Sequence, residues 1–256
     1  MTRHFLIIGA QRCGTTYLHS LLDAHPDITM ARPARPEPKV FLSDDVTRAG
    51  LDSYRETYFA HAATESLLGE KSASYIEDPR AATRAAELLG QPQILVVLRD
   101  PVQRAVSNWR YSTDNGLEER PLETALRQNL VGERPWDPGA TSVSPYAYLE
   151  RGRYVNYLRP WFAVFPVDIH VCFLTDLARD DTALSGVYQW LGVDPAFRPG
   201  DRDQPVNQSR EEAPVLSADL LDAMADYYTS SDAALSRLLG RALPWCEGTR
   251  TGGTRE

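Results

Sequence analysis

The sequence predicts an α/β fold, a central parallel sheet flanked by helices, on three observations. Short apolar, partly β-branched runs alternate along the chain with amphipathic stretches of helical period. The run Gln93–Leu98 is apolar without alternation, as in a strand covered on both faces. The order strand, loop, helix occurs first from Phe5 and again from Gln93.

The first strand, Phe5 to Gly9, leads through a glycine loop into a helix from Thr15 to Ala24, with Leu18, Leu21 and Leu22 on one face. A Pro- and Arg-rich loop follows from Arg32 to Lys39, then a helix from Leu51 to about His61 and a short strand near Leu67 to Lys71. A helix from about Pro79 to Leu89 is closed by Gly90, which can take the left-handed conformation that ends helices. Strand Gln93–Leu98 feeds a helix whose first turn accepts Pro101 and which reaches about Tyr111. Beyond the irregular segment from Asp114 to Ser144, with one helical stretch at Leu122–Leu130, come a helix near Tyr154–Phe165, a strand at Ile169–Leu174 and a helix at Thr182–Leu191. One domain over 1–247 is expected, with 248–256, polar and glycine-rich, as a frayed tail.

A net charge of -8 over 256 residues speaks against a nonspecific grip on nucleic acid or an anionic membrane, so any phosphate site has to be a local concentration of cations. The three cysteines, Cys13, Cys172 and Cys246, lack zinc-ligand spacing and pairing, which points to a reducing, cytoplasmic setting. The five histidines are scattered over different elements and suggest no metal centre. No stretch approaches the roughly 20 apolar residues of a membrane span, and the first apolar run is too short for a signal sequence.

The segment Gly9-Ala-Gln-Arg-Cys-Gly14-Thr15-Thr16 lies between a strand and a helix, where helix amides and dipole favour an anion. It has the spacing of a P-loop, so a P-loop-like three-layer fold is expected. Thr15 stands where an ATP-hydrolysing loop needs lysine, and the cation lies inside the loop as Arg12. A kinase or NTPase is therefore the secondary reading, with Asp100 its one candidate magnesium acid.

Gly9–Leu18 with His25-Pro26-Asp27-Ile28 resembles the 5′-phosphosulfate loop of sulfotransferases that use 3′-phosphoadenosine 5′-phosphosulfate (PAPS), in particular the heparan-type and related bacterial branch. Val97 to Trp109 is similar to the family's 3′-phosphate motif, and Arg99 and Ser107 match its two phosphate-holding positions. Pro36-Glu37-Pro38-Lys39-Val40-Phe41 resembles the stretch whose glutamate is the catalytic base, although Pro36 stands for the usual lysine and Val40 for the first aromatic. Gly69-Glu70-Lys71-Ser72-Ala73-Ser74-Tyr75 resembles the strand end whose lysine reaches the active site, and the likeness extends over about positions 5 to 193. The family's loop that closes over the nucleotide is not evident; Arg202 or Arg210 is the candidate substitute.

The resemblance implies sulfuryl transfer from PAPS, without a metal, to a hydroxyl or amine of a small-molecule or saccharide acceptor, leaving adenosine 3′,5′-bisphosphate. Glu37, Lys71 and Arg12 are the expected catalytic residues. Gln11, Arg12, Cys13, Gly14, Thr15, Thr16, Arg99 and Ser107 are expected to bind the nucleotide, and Lys39, Tyr75, Tyr148 and Arg151 the acceptor. A forked guanidinium at Arg99 and a hydroxyl two turns on suit a phosphate.

Overall fold

The computed structural model describes residues 2–137, 139, 143–200 and 215–246. In chain order the elements are β1 (Arg3–Gly9), α1 (Thr15–Asp23), β2 (Ile28–Met30), α2 (Asp45–Phe59), β3 (Leu67–Lys71), α3 (Pro79–Leu89) and β4 (Gln93–Leu98). These are followed by α4 (Pro101–Asp114), α5 (Leu122–Val131), α6 (Tyr154–Val164), β5 (Ile169–Phe173), α7 (Leu174–Arg179), α8 (Asp181–Leu191) and α9 (Ala218–Leu239). They form two compact units: Met1–Leu98 with Tyr157–Gln208, and Arg99–Asn156 with Ser209–Glu256.

The first unit holds a five-stranded sheet of order β2-β3-β1-β4-β5, every pair parallel. The parallel α/β fold expected from the sequence is the fold of the chain. Strand direction and period put Phe5, Ile7, Leu95 and Val97 on one face, where they pack with Leu18 and Leu22 of α1 and Val187 and Leu191 of α8. On the other face α2 lies against β1: the His4 ring is 5.9 Å from those of Tyr54 and Phe59. Cover on both sides accounts for the apolar continuity of β4, in which Ile94 to Leu98 are all fully buried.

Gly69 of β3 is required by close packing. A Cβ there would sit inside the contact distance of the Phe5 ring and 2.6 Å from Met30 Sδ. We expect Gly69→Ala to destabilise the protein by about 2 kcal/mol, as overpacking of a tight core does. A urea midpoint equal to that of the wild type would contradict this packing.

In the second unit α4, α5 and α9 enclose a separate core that includes Ala105, Leu126, Tyr148, Leu220, Met224 and Tyr228. The start of α4 is set by Pro101 at its first turn and by the Asp100 carboxylate, which accepts from the amides of Val102 (2.8 Å) and Gln103 (3.2 Å).

Several local expectations are corrected. The helix expected from Leu51 begins at Asp45, carried across a non-helical Gly50 (φ 85°). Leu174, expected to end β5, opens α7 instead. Strand β2 and helices α7 and α9 were not anticipated. Arg202, Arg210 and the expected tail 248–256 lie outside the described residues.

Candidate functional site

The strand order reverses at β1: on one side the chain passes to the edge at β2 and returns to β3 beside β1, and on the other it runs outward through β4 and β5. Ligands of open parallel sheets bind at such a switch point, beyond the carboxyl ends of the strands. The glycine loop leaves β1 at that point, and the amide of Ala10 is tied to Val97 O of β4 at 2.9 Å. Within the loop Arg12 is left-handed (φ 64°), a conformation unfavourable for a side chain with a Cβ and held by its surroundings. Gly14 (φ 89°) leads into α1, which no side chain caps, so the first-turn amides are placed to meet an anion. Leu174 packs against this glycine, and a Cβ on it would lie 2.5 Å from Leu174 Cδ1. Cys13 is buried, its Sγ 3.6 Å from Gln11 O, and Thr15 is buried beside it.

Three segments of the first unit meet here. Lys71, the last residue of β3, has Nζ 2.6 Å from Glu37 Oε1 and 3.5 Å from Thr16 Oγ1. Glu37 also accepts, through Oε2, from the amide of Ala73 at 3.0 Å. The lysine side chain is only 6% exposed and that of the glutamate 21%, so the pair is largely withdrawn from water with one edge open. An acid and a base thus stand at hydrogen-bond distance beside the first turn of α1. Lys39 adjoins them with a left-handed backbone (φ 54°), and its amide donates to Ser72 Oγ at 2.9 Å.

Two neighbours of this cluster escaped the sequence reading. His19 of α1 is buried, and burial, reinforced by Lys71 and Arg32 against the opposing pull of Asp23 and Glu37, lowers its pKa to about 4. Glu70, which precedes Lys71, is fully buried, and burial pushes its pKa up to about 7 although hydroxyls of Tyr75, Tyr54 and Ser72 pull the other way. The motif that contains Glu70 was visible, but only its lysine was read as functional.

The remaining predicted residues divide by role. Tyr75 is fully buried, with its hydroxyl given to Glu70 Oε1 at 2.5 Å. In the second unit Tyr148 is equally buried and donates to Glu118 Oε2 at 2.9 Å, while Arg151 is 5% exposed with Nη1 3.4 Å from Asn108 Oδ1. These three side chains are packed into the fold rather than presented on its surface. Arg99 and Ser107 belong to the second unit, at the start of α4 and within it. The Arg99 carbonyl accepts from Tyr154 Oη at 2.8 Å, and its Nε lies 3.3 Å from Gln103 Oε1. Among the described residues no group of three or more His, Cys, Asp or Glu side chains could hold a metal ion, and no helix is long and apolar enough to cross a membrane.

A parallel sheet with a glycine loop at its switch point and helices on its faces defines an α/β fold of P-loop-like type. Residues 5–64 match the model of the sulfotransferase family. The structure is similar to that of a sulfotransferase from Alicyclobacillus acidocaldarius, with a TM-score of 0.75 at 23% identity over 95% of this chain and 98% of that one. By sequence the chain is 27% identical over 264 residues to the bifunctional heparan sulfate N-deacetylase/N-sulfotransferase 4 of Mus musculus, covering 93% of this chain and 30% of that protein. It is 30% identical over 195 residues to the bifunctional heparan sulfate N-deacetylase/N-sulfotransferase 1 of Caenorhabditis briggsae, covering 73% of this chain and 22% of that protein. The chain thus spans less than a third of the length of these curated relatives. These similarities support a sulfotransferase family for the chain.

Proposed function

We propose that this protein transfers a sulfuryl group from PAPS to a hydroxyl or amine of a small-molecule or saccharide acceptor, with Glu37 as general base. The observation that carries this reading is the meeting of Glu37, Lys71 and Thr16 beside the glycine loop at the switch point. Glu37 takes the proton as the acceptor atom attacks sulfur; the new bond to sulfur forms as the bond from sulfur to the phosphate oxygen breaks. Adenosine 3′,5′-bisphosphate leaves with the negative charge. Protonation of Glu37 removes the partner of Lys71 as charge develops on the leaving oxygen, so the ammonium exchanges one anion for another and is worth most in the transition state. Arg12 and the amides of Gly14 to Thr16 complete the anion site, and Gln11 and Cys13 form part of its loop. Arg99 and Ser107 would hold the 3′-phosphate. Lys39, two residues beyond Glu37, is the proposed acceptor-side cation.

The similarity to N-sulfotransferases supports an amine-bearing saccharide as the first acceptor to try. The kinase or NTPase alternative is weakened by the use of the Asp100 carboxylate as a helix cap. The same reading takes 1–247 as one catalytic domain. A cytoplasmic location is supported by the cysteine usage, three widely separated residues without the spacing of a disulfide framework.

Calorimetric titration with adenosine 3′,5′-bisphosphate, with 5′-AMP and ATP as controls, tests the donor site. Binding that depends on the 3′-phosphate is expected; preference for ATP would overturn the proposal. Arg99→Ala is expected to weaken this binding about tenfold to a hundredfold, the loss of a charged hydrogen-bonding pair. Affinity for 5′-AMP should change little, and an equal loss for both nucleotides would remove Arg99 from the 3′-phosphate.

A further inference from the structure

Glu70 is a buried acid for which the proposed chemistry has no use. It lies in β3, opposite Leu6 of β1, with no exposure to solvent. Its hydrogen-bond partners are three neutral hydroxyls: Tyr54 Oη donates to Oε2 at 2.8 Å, and Ser72 Oγ (2.9 Å) and Tyr75 Oη (2.5 Å) both donate to Oε1. A buried carboxylate is costly, and an apolar side chain would fill a strand position at less expense.

The two hydroxyls on Oε1 lead to the loop that carries Glu37. Ser72 Oγ accepts the amide of Lys39 at 2.9 Å, and Tyr75 Oη accepts the amide of Phe41 at 3.3 Å. A hydroxyl has one proton; if it accepts from the loop, that proton is free to go to Glu70, and the carboxylate fixes the direction of both chains. The loop cannot easily absorb play between these anchors and Glu37. Pro36 and Pro38 have restricted φ, and Glu37, preceding a proline, is confined to extended backbone. Arg84 Nη1 donates to Phe41 O at 3.0 Å and fixes the far side of the same anchor.

We propose that Glu70 is a positioning residue that, through Ser72 and Tyr75, sets the Glu37 loop against Lys71. The inference rests on the sulfotransferase reading for its effect on turnover, but not for its effect on the loop. The hydroxyl of the third arm, Tyr54 of α2, ends on Glu70, while the Tyr54 ring packs 5.8 Å from that of Phe41; Tyr54→Phe keeps the ring contact and removes only the hydroxyl, and so supplies an internal control.

The test compares Glu70→Ala, Glu70→Gln, Ser72→Ala, Tyr75→Phe and Tyr54→Phe in the full chain. Amide hydrogen exchange at Lys39 and Phe41 is read by NMR. Turnover is followed with PAPS and N-desulfated heparin as the acceptor probe, and affinity with adenosine 3′,5′-bisphosphate. Protection of the Lys39 amide is expected to fall in Ser72→Ala, of Phe41 in Tyr75→Phe, and of both in Glu70→Ala. In each of these, kcat should fall about tenfold or more while nucleotide affinity is kept, since small displacements of a catalytic group are costly. Glu70→Gln, whose amide oxygen can take the place of Oε1, should restore most of the protection and turnover. Tyr54→Phe removes a bond from the same carboxylate and should leave both amides and kcat unchanged.

Wild-type protection of Lys39 and Phe41 in Glu70→Ala would overturn the inference, as would a loss of kcat in Tyr54→Phe equal to that in Tyr75→Phe. If Glu70→Ala does not fold, wild-type protection in both single-arm variants overturns it instead. If the wild type transfers no sulfuryl group to the probe while the amides respond as described, positioning stands and the amine-bearing saccharide is what fails as acceptor; the donor reading fails only if adenosine 3′,5′-bisphosphate does not bind.

Discussion

Glu37→Gln is expected to lower sulfuryl transfer by about a hundredfold or more, the range for losing a general base, and to leave affinity for adenosine 3′,5′-bisphosphate nearly unchanged. The amide oxygen of glutamine can still accept from the Ala73 amide, so the loop keeps that contact, but a neutral amide cannot take the acceptor's proton. The substitution also deprives Lys71 of its carboxylate, and an ammonium with 6% exposure left without an anion costs a few kcal/mol. Reduced activity could then reflect a weakened fold. A urea unfolding curve of Glu37→Gln separates the two: turnover should stay low under conditions in which that curve shows the variant fully folded. Turnover that follows the folded fraction would show that Glu37 acts through the fold and not as the base. A loss of nucleotide affinity in Glu37→Gln as large as that in Arg99→Ala would contradict the division of roles.

What could be read beforehand follows from which interactions are local in sequence. The strands β1 and β4 and the helices α3 and α4 were legible because each combines an apolar pattern with punctuation by Gly9, Gly90, Pro79 or Pro101. Strand β2 has three residues and no period to detect. Helix α9 has 22 residues, yet its buried face passes from Leu220, Met224 and Tyr228 to Ser231 and Asp232 before Leu235, so the apolar stripe breaks where a helix most needs it. Asp232 is tolerated there with the Trp245 indole N–H donating to it at 3.0 Å, a contact that no local pattern announces. In the site, Glu37 and Lys71 stood in motifs that could be recognised singly. Their pairing across 34 residues, and the use of Ser72 and Tyr75 as hydroxyl bridges, depend on the register of β3 beside β1 and on where the loop returns.

Acid should destabilise this protein well above the range in which ordinary carboxylates titrate, and two histidines decide the effect. The imidazole of His4 accepts from Arg55 Nε through Nε2 at 3.1 Å, so its proton lies on Nδ1, a buried atom without a partner. Burial first, and Arg55 second, lower its pKa to about 4, and burial holds that of His19 near the same value. Each is protonated in the unfolded chain near pH 6.5 but in the folded chain only near 4. The stability held above 6.5 is therefore lost as pH falls toward 4, by at most about 3 kcal/mol for each imidazole. Glu70 acts in the opposite sense: its folded pKa of about 7 lies above the ordinary 4.5, so the folded state holds a proton that the unfolded state has lost, and stability rises as pH falls between these values. Two protons against one leave a net loss of roughly 1.4 kcal/mol per pH unit between about 6.5 and 4.5. The Glu118 carboxylate, with its pKa lowered to about 2 by Arg120 and Tyr148 against the effect of burial, adds its loss only below that window. Urea midpoints at pH 7 and pH 5 check the slope. Glu70→Gln removes the opposing titration and should roughly double it, whereas His19→Gln should nearly abolish it. A wild-type midpoint that is the same at both pH values, or a slope unchanged in Glu70→Gln, would mean that these buried groups do not hold the protonation states their surroundings dictate.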